Sequence, residues 1–376
     1  MYPTITDLLE DLLGIYIPLP IQSFGFFVAL AFLSSSYFLM LDLKRKEKEG
    51  LLAPFKEKVL VGAPPKLTEV LLSGLMGFVL GYKLIYALIN YSDFVASPDG
   101  MMLSLDGSMP GGILCGIAYG YYKYWEKNKA KLDAPKHEES LIHPYQQIGN
   151  IVMIAAIAGI LGAKLFHNLE NLDDLLADPV GALLSFSGLT FYGGLICGSL
   201  AVLYYTRSKG IATVHLLDAA GPALMLAYGV GRIGCQVAGD GDWGIYNELP
   251  QPDWLLFAPE WVWAYDYPNN VLGVELPAKV FPTPLYEAVM CILMFGVLWI
   301  LRKRIQIAGA LFSIYLILNG VERFFIEKIR VNEIYTIIGR EITQAEIISS
   351  LLVLLGIWGI WYSRKRAARI KNPLDL

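Results

Sequence analysis

The sequence predicts an all-α polytopic membrane protein with about nine transmembrane helices and a small non-cytoplasmic cap. Of its 376 residues, 55% are hydrophobic and only 17% are charged, whereas about 25% of the residues in a soluble domain are charged. The hydrophobic residues occur in long blocks, and a bilayer-spanning helix needs about 20 mostly apolar residues. The remaining stretches are too short for a separate soluble domain, so residues 1–376 are expected to form a single integral membrane domain.

Nine blocks have the length and composition of a membrane span. Five of them contain no charge, and they are 21–41, 107–122, 188–206, 305–321 and 347–363. Four more qualify once a buried charge is allowed, and they are 67–90 around Lys83, 146–169 around Lys164, 216–237 around Arg232 and 281–301 around Glu287. The first twenty residues are acidic and lack the basic start of a signal peptide. We therefore expect 21–41 to be a retained first span.

The distribution of lysine and arginine predicts the orientation of these spans. With the N-terminus outside, the segments between spans that face the cytoplasm carry 21 lysines and arginines, and those outside carry four. Basic residues concentrate in cytoplasmic loops. The sequence therefore predicts an external N-terminus and a cytoplasmic C-terminus.

A long outer segment, 238–282, is rich in tryptophan, tyrosine and proline. Loops of this length are uncommon unless they are functional or disordered, and the aromatic content argues against disorder. Tryptophan and tyrosine favour the membrane interface. We expect a small folded cap at that interface.

Two segments, 67–124 and 146–206, form an internal parallel repeat. GGILCG at 111–116 recurs as GGLICG at 193–198, and GYKL at 81–84 recurs as GAKL at 162–165. Each copy is predicted to contain a helix with a buried lysine, an outer acidic loop and a glycine-rich helix. Small residues spaced four apart let helices approach closely, so packing accounts for most of these glycines.

Polar residues of several predicted spans fall at one depth. Arg232 lies 16 residues after Leu216, or roughly 24 Å into a core about 30 Å thick. The same estimate places Arg323 and Lys164 at a similar depth in the membrane core. Ionisable residues in spans are costly and usually functional, and guanidinium groups bind phosphate bidentately. The two arginines therefore indicate a phospholipid headgroup site, although Lys164 could instead snorkel and Arg323 could pair with Glu327.

Further polar residues belong to the same predicted layer. They are Tyr192, Tyr286 and Glu287 near the outer starts of descending helices, Asp240 and Asp242 just after Arg232, and Glu327 and Arg330 after Arg323.

Other chemistries find little support in the sequence. The four cysteines lie in apolar blocks without metal-ligand spacing, and no pair of histidines has zinc spacing. No phosphate-binding loop or dinucleotide fingerprint occurs. We predict no cofactor, no metal and no nucleic-acid partner.

Four segments together resemble the prolipoprotein diacylglyceryl transferase family. They are GLTFYGG at 188–194, GVGRIGCQVAGDGDWG at 229–244, FPTPLYE at 281–287 and NGVERFFIEKIR at 319–330. The resemblance covers residues from about 146 to the C-terminus, together with the first span, and 67–145 looks like an added helix pair.

The resemblance implies a function. Members of the family move the diacylglyceryl group of phosphatidylglycerol to the lipobox cysteine thiol in the signal peptide of a prolipoprotein and release glycerol phosphate, in the bacterial cytoplasmic (inner) membrane. By this resemblance Arg232 matches the phospholipid-binding arginine and Arg323 a second essential arginine.

The remaining residues of the layer receive expected roles in that reaction. Tyr192, Asp240 and Glu327 are the expected catalytic partners of the two arginines. The expected substrate-binding residues are Arg232, Lys164, Gly193, Gly194, Gly244, Tyr286 and Glu287.

The sequence departs from the family pattern at four places. Tyr192 stands where the family has histidine, Cys235 where it has asparagine, and Ser23-Phe24-Gly25 where it has Trp-Tyr-Gly, and one residue is inserted within 239–244. Two alternatives therefore stay open. One is a related headgroup transferase with a different acceptor, and the other is a non-catalytic phospholipid-binding membrane protein.

Overall fold

A computed structural model describes residues 1–17, 21–96, 101, 104–132, 135–184, 190–332, 334–337 and 340–371. The chain divides into two compact units. The larger comprises Met1–Pro3, Ser23–Phe55 and His143–Leu376, and the smaller comprises Thr4–Gln22 and Lys56–Ile142. The first two residues of the predicted span 188–206 lie outside the described residues.

The described residues are mostly helical. In chain order the helices are α1 Ile5–Leu13, α2 Ser23–Lys48, α3 Leu67–Ile89, α4 Tyr91–Ala96, α5 Met109–Lys129, α6 Ile148–Glu170, α7 Leu172–Ala177, α8 Pro179–Leu184, α9 Phe191–Ser208, α10 Thr213–Ala238, α11 Thr283–Leu301, α12 Ala310–Ile326 and α13 Gln344–Lys371. Two small two-stranded sheets accompany them. One pairs β1 Phe55–Val61 with β2 Lys136–Ile142, and the other is a hairpin of β3 Ile334–Ile337 and β4 Arg340–Thr343.

Six of these helices are long and apolar enough to cross a membrane. They are α2, α3, α6 with the turn before it, α10, α11 and α13. The protein is therefore a multi-pass membrane protein. The predicted count of nine is not confirmed, because the other three predicted spans lie on α5, α9 and α12, which are not among the six, and α12 has only 17 residues.

The core of the larger unit surrounds α10, which packs against α2 and α11. Met225, Cys291, Leu298 and Leu311 are almost fully buried where α10, α11 and α12 meet. Helix α10 ends at Gly239, whose φ of +66° lies in the left-handed region. Glycine commonly ends a helix in this conformation, and here it turns the chain towards Asp240 and Asp242.

An ion pair links α2 to the end of α11, remote from Gly239. The buried carboxylate of Asp42 accepts hydrogen bonds from Arg302 Nη1 at 2.8 Å and from Arg45 Nε at 2.8 Å. The Arg302 guanidinium also stacks on Trp299. Because a buried charge is costly without a partner, this arrangement fixes the height of α2 relative to α11.

The predicted cap segment is held by backbone pairing and by side chains. Tyr246 and Tyr265 each form a β-bridge with Val280. The buried Tyr267 hydroxyl donates to Gln236 Oε1 of α10 at 2.8 Å. These contacts join the segment to the end of α10 and to the residues just before α11.

The two predicted repeats share a detail of helix packing. In the α3–α5 pair, a Cβ on Gly81 would lie 2.4 Å from Cys115 Cβ, and in the α6–α9 pair a Cβ on Gly162 would lie 2.3 Å from Cys197 Cβ. Glycine is therefore required at both positions for the same backbone approach. The buried lysine of the first copy, Lys83, donates to the carbonyl oxygens of Met101 at 3.0 Å and Asp106 at 2.8 Å.

We expect Gly162→Ala to lower the thermal stability of the purified protein in detergent. The added methyl group overpacks α6 against α9, which typically costs about 1–3 kcal/mol. Gly149→Ala on the same helix is the matched control, since a Cβ there meets no atom within 4 Å. Equal melting temperatures for the two variants would contradict this packing.

Candidate functional site

The carboxylate of Glu287 lies at the centre of the polar cluster. Glu287 is fully buried in the second turn of α11. It accepts hydrogen bonds from Arg330 Nη1 at 2.9 Å and from the Tyr228 hydroxyl, and Arg232 Nε lies 2.7 Å away. Arg323 Nη1 lies 3.8 Å from the same carboxylate. These contacts pair the buried charge and bring three guanidinium groups together.

Helix periodicity brings these partners to one place. Tyr228 and Arg232 are one turn apart on α10 and therefore share a face. The Arg232 guanidinium also lies 5.3 Å from the centre of the Tyr228 ring. At the end of α12, Arg323 and Glu327 are four residues apart, and Arg330 follows a short 3-10 helix over Glu327–Ile329.

Asp242 connects two of the arginines from the other side. Its Oδ1 lies 2.7 Å from Arg330 Nη2, and its Oδ2 accepts a hydrogen bond from Arg232 Nη1. Thr283 Oγ1 donates to the Asp242 carbonyl oxygen at 2.8 Å, and the Asp242 amide donates to Asp240 Oδ1 at 3.3 Å. Burial alone would raise the pKa of the Asp242 carboxyl, but the two guanidinium groups outweigh it and hold that pKa below its usual value.

Arg323 forms the third ion pair of the cluster. Its Nη2 lies 3.2 Å from Glu327 Oε2, and Glu327 Oε1 accepts a hydrogen bond from Asn332 at 2.6 Å. Tyr192 is half-buried in the first turn of α9, within electrostatic reach of Arg323 and Glu327. The structure thus brings Tyr192 to the Arg323 side of the cluster.

Two glycines predicted to bind substrate lie between helices. A Cβ on Gly193 would lie 2.5 Å from the Gly162 carbonyl oxygen, and one on Gly194 would lie 3.1 Å from that of Gly159. Both positions therefore allow α9 to approach α6. Lys164 lies half-buried on α6, two residues after Gly162.

Gly244 and Tyr286 hold the cap segment in place. The Gly244 amide donates to Phe281 O at 2.8 Å, and a Cβ on Gly244 would lie 2.4 Å from Ile329 O. The Tyr286 hydroxyl donates to the carbonyl oxygen of Val262 at 2.8 Å. Both residues thereby position the chain that carries Asp242 and Arg330.

The sequence reasoning placed Asp242 and Arg330 in the polar layer but gave neither a role at the site. It missed Tyr228 and Glu322. Tyr228 stands one turn before Arg232, which is a weak indication. Glu322 is 2% exposed, and its neighbour Arg323 gave no indication of that burial.

Cys235, Asp240 and Asp242 place ligand-type atoms within 4.8 Å of one another. This group is a poor cation site, because the Arg232 guanidinium already contacts Asp242 and adds positive charge there. Arg232, Arg323 and Arg330 face Asp242, Glu287 and Glu327, so the six groups balance in charge. Three guanidinium groups in one place can bind an anion chemically.

We expect Glu287→Gln to lower the melting temperature strongly, because it leaves the arginines around Glu287 short of one negative charge. Breaking a buried ion pair by removing one partner typically costs about 3–5 kcal/mol. Glu260→Gln is the control, since Glu260 pairs with Lys279 on the surface and such pairs contribute about 0–1 kcal/mol. Comparable melting shifts for both variants would show that Glu287 does not organise the cluster.

Comparison with known proteins identifies the family. The family model described as prolipoprotein diacylglyceryl transferase matches residues 111–362. Three relatives share the name phosphatidylglycerol–prolipoprotein diacylglyceryl transferase. The one from Dehalococcoides mccartyi is 28% identical over 229 residues, covering 61% of this chain and 82% of the relative. The one from Shouchella clausii is 26% identical over 267 residues, which cover 69% of this chain and 88% of the relative.

The relative from Symbiobacterium thermophilum is 30% identical over 236 residues, covering 58% of this chain and 78% of its own. The family match spans more than half of the chain and includes Tyr192, Arg232, Asp242, Glu287 and Arg330. The chain therefore belongs to the prolipoprotein diacylglyceryl transferase family.

Proposed function

We propose that the protein transfers the diacylglyceryl group of phosphatidylglycerol to the lipobox cysteine thiol of prolipoproteins. In this reaction a carbon–sulfur bond forms, the bond between the glyceryl carbon and the phosphate oxygen breaks, and glycerol phosphate leaves. The thiol proton is taken up by a base. Membership of the family and the names of its relatives support this choice of donor and acceptor.

The observation that carries the proposal is the convergence of Arg232, Arg323 and Arg330 on one buried carboxylate. The phosphodiester has one negative charge, and the glycerol phosphate that leaves gains a second. Fixed guanidinium groups stabilise charge that develops in a transition state, and they need little reorganisation to do so. Arginine also matches two phosphate oxygens at once.

Asp240 is the best placed base for the thiol proton. Glu287 and Glu327 are each engaged by arginine and are almost fully buried, so neither is free to accept a proton from a ligand. Asp240 is half-buried, next to the cluster, and pairs with no arginine among the described residues. In this proposal Tyr192 only hydrogen-bonds the lipid phosphate or a carboxylate, while Lys164, Gly193, Gly194, Gly244 and Tyr286 shape the binding region.

The proposal places the chain in the bacterial inner membrane with nine spans, an external N-terminus and a cytoplasmic C-terminus. In this arrangement residues 1–376 form one membrane domain, 67–124 and 146–206 are its two repeats, and 238–282 is its outer cap. The matching glycine–cysteine contacts of the two helix pairs support the repeat. The strong bias of basic residues supports the orientation.

We expect Arg232→Ala to abolish most transfer when purified protein is incubated with phosphatidylglycerol and a lipobox peptide. Loss of one fixed donor to developing negative charge costs about 10²–10³ in rate. Arg232→Lys should rescue poorly, since a point charge lacks the bidentate fork. Mass spectrometry of the peptide measures the product.

Arg207→Ala is the control, since Arg207 lies on the surface at the end of α9 and bonds Thr213. Wild-type turnover by a folded Arg232→Ala protein would contradict the assignment of this arginine. A wild-type protein that modifies no lipobox peptide, under conditions where it binds phosphatidylglycerol, would contradict the acceptor.

Tyr192→Phe separates the proposed role of this hydroxyl, a hydrogen bond to the phosphate or a carboxylate, from the alternative role of base for the thiol proton. We expect a higher KM for phosphatidylglycerol with an unchanged pH profile, because Asp240 takes the proton. A fall in kcat of about 10²–10⁴ that is recovered at high pH would instead make Tyr192 the base. Tyr204→Phe on the same helix is the matched control, because Tyr204 is 79% exposed.

A further inference from the structure

The three carboxylates that pair with arginines differ in their exposure. The Asp242 side chain is 37% exposed, whereas those of Glu287 and Glu327 are 0% and 1% exposed. A buried carboxylate cannot leave its partners without a large desolvation penalty. Asp242, in contrast, borders solvent and has a short side chain, so it can turn outwards at small cost.

The position of the Asp242 carboxylate matches that of a phosphodiester. One oxygen contacts Arg330 Nη2 at 2.7 Å, and the other contacts Arg232 Nη1. A phosphodiester has the same single negative charge and likewise offers two non-bridging oxygens. It would therefore bridge the same two guanidinium groups.

We propose that Asp242 is an exchangeable internal anion that sets the affinity of this site for phosphate-containing lipids. Its carboxylate bridges Arg232 and Arg330 when the site is empty, turns to solvent when the lipid phosphate enters, and returns when glycerol phosphate leaves. This inference rests on the proposed function, and it assigns the direct contacts with the lipid phosphate to Arg232 and Arg330.

The backbone around Asp242 stays in place during the exchange. Thr283 Oγ1 donates to the Asp242 carbonyl oxygen at 2.8 Å, and the Gly244 amide donates to Phe281 O at 2.8 Å. The movement is therefore a side-chain rotation, which is fast for partly exposed residues. Rotation keeps Arg232 and Arg330 in position, because Glu287 holds both from the buried side.

The Asp242 carboxylate is charged throughout the neutral range. Its pKa is lowered below the usual value of about 4, so the carboxylate competes with phosphate at every pH above that value. When a site is open to its ligand for only a fraction of the time, the apparent Kd equals the intrinsic Kd divided by that fraction. If Asp242 occupies the arginine pair nine-tenths of the time, its removal tightens lipid binding about tenfold.

The first test is the affinity of purified protein for dioctanoyl phosphatidylglycerol, measured by native mass spectrometry in detergent. We expect Asp242→Asn to lower the Kd about tenfold and to leave the Kd for dioctanoylglycerol, which lacks phosphate, unchanged. In the double variant Asp242→Asn/Arg330→Gln the Kd for dioctanoyl phosphatidylglycerol should no longer be lowered, since one of the two bridging arginines is lost. Glu260→Gln controls for removal of a carboxylate elsewhere in the cap.

The second test needs no substitution, so it holds even if the variants fold poorly. Carbodiimide with an amine labels accessible carboxylates of the wild-type protein, and peptide mass spectrometry locates the label. We expect dioctanoyl phosphatidylglycerol to increase labelling of Asp242, because its carboxylate leaves the arginines, and dioctanoylglycerol to have no such effect.

Two results would overturn the exchange while leaving the proposed function intact. One is weaker or unchanged lipid binding in Asp242→Asn, and the other is lower or unchanged labelling of Asp242 in lipid-bound wild-type protein. Either would make Asp242 a fixed support for the arginines. Failure of the wild-type protein to bind phosphatidylglycerol at all would overturn the proposed function and this inference together.

Discussion

The pairing of the fully buried Glu287 carboxylate with arginines is the constraint on which the rest of the site depends. Its partners come from α10, from the end of α12 and from the segment after it. Because a buried charge must remain paired, α10, α11 and α12 cannot shift relative to one another without breaking these contacts. The same contacts aim the guanidinium groups at the side where Asp242 borders solvent. Structural integrity and the proposed anion binding therefore share one set of ion pairs.

Sequence reasoning could find most charged members of this cluster but not their pairing. The depth of Arg232 and Glu287 in apolar blocks singled them out, and Arg323 and Glu327 were recognisable as an i, i+4 pair. The pairing of carboxylates with arginines depends on how α10 packs against α11. Helix periodicity in the sequence does not predict this packing. Tyr286 shows the same limit, since its depth was clear but its direction, towards the Val262 carbonyl of the cap, was not.

Glycine patterns predicted packing better than they predicted binding. The repeated Gly-Gly motif is local in sequence, and both copies give the same close approach beside Cys115 and Cys197. Gly244 was expected to bind substrate, and in the structure its missing Cβ leaves room for the Ile329 carbonyl. The number of spans was less predictable, because α12 is a helix of only 17 residues and composition alone does not distinguish a short span from a buried helix.

The pair between Asp42 and Arg302 joins residues 260 positions apart, which has a consequence for biosynthesis. At a translation rate of about 5–20 residues per second, Asp42 emerges on the order of tens of seconds before its partner exists. During that interval Arg45, one turn further along α2, is already present and can pair with Asp42. Arg45 therefore provides a counter-ion for Asp42 before Arg302 is synthesised, and Arg302 then joins α2 to the end of α11.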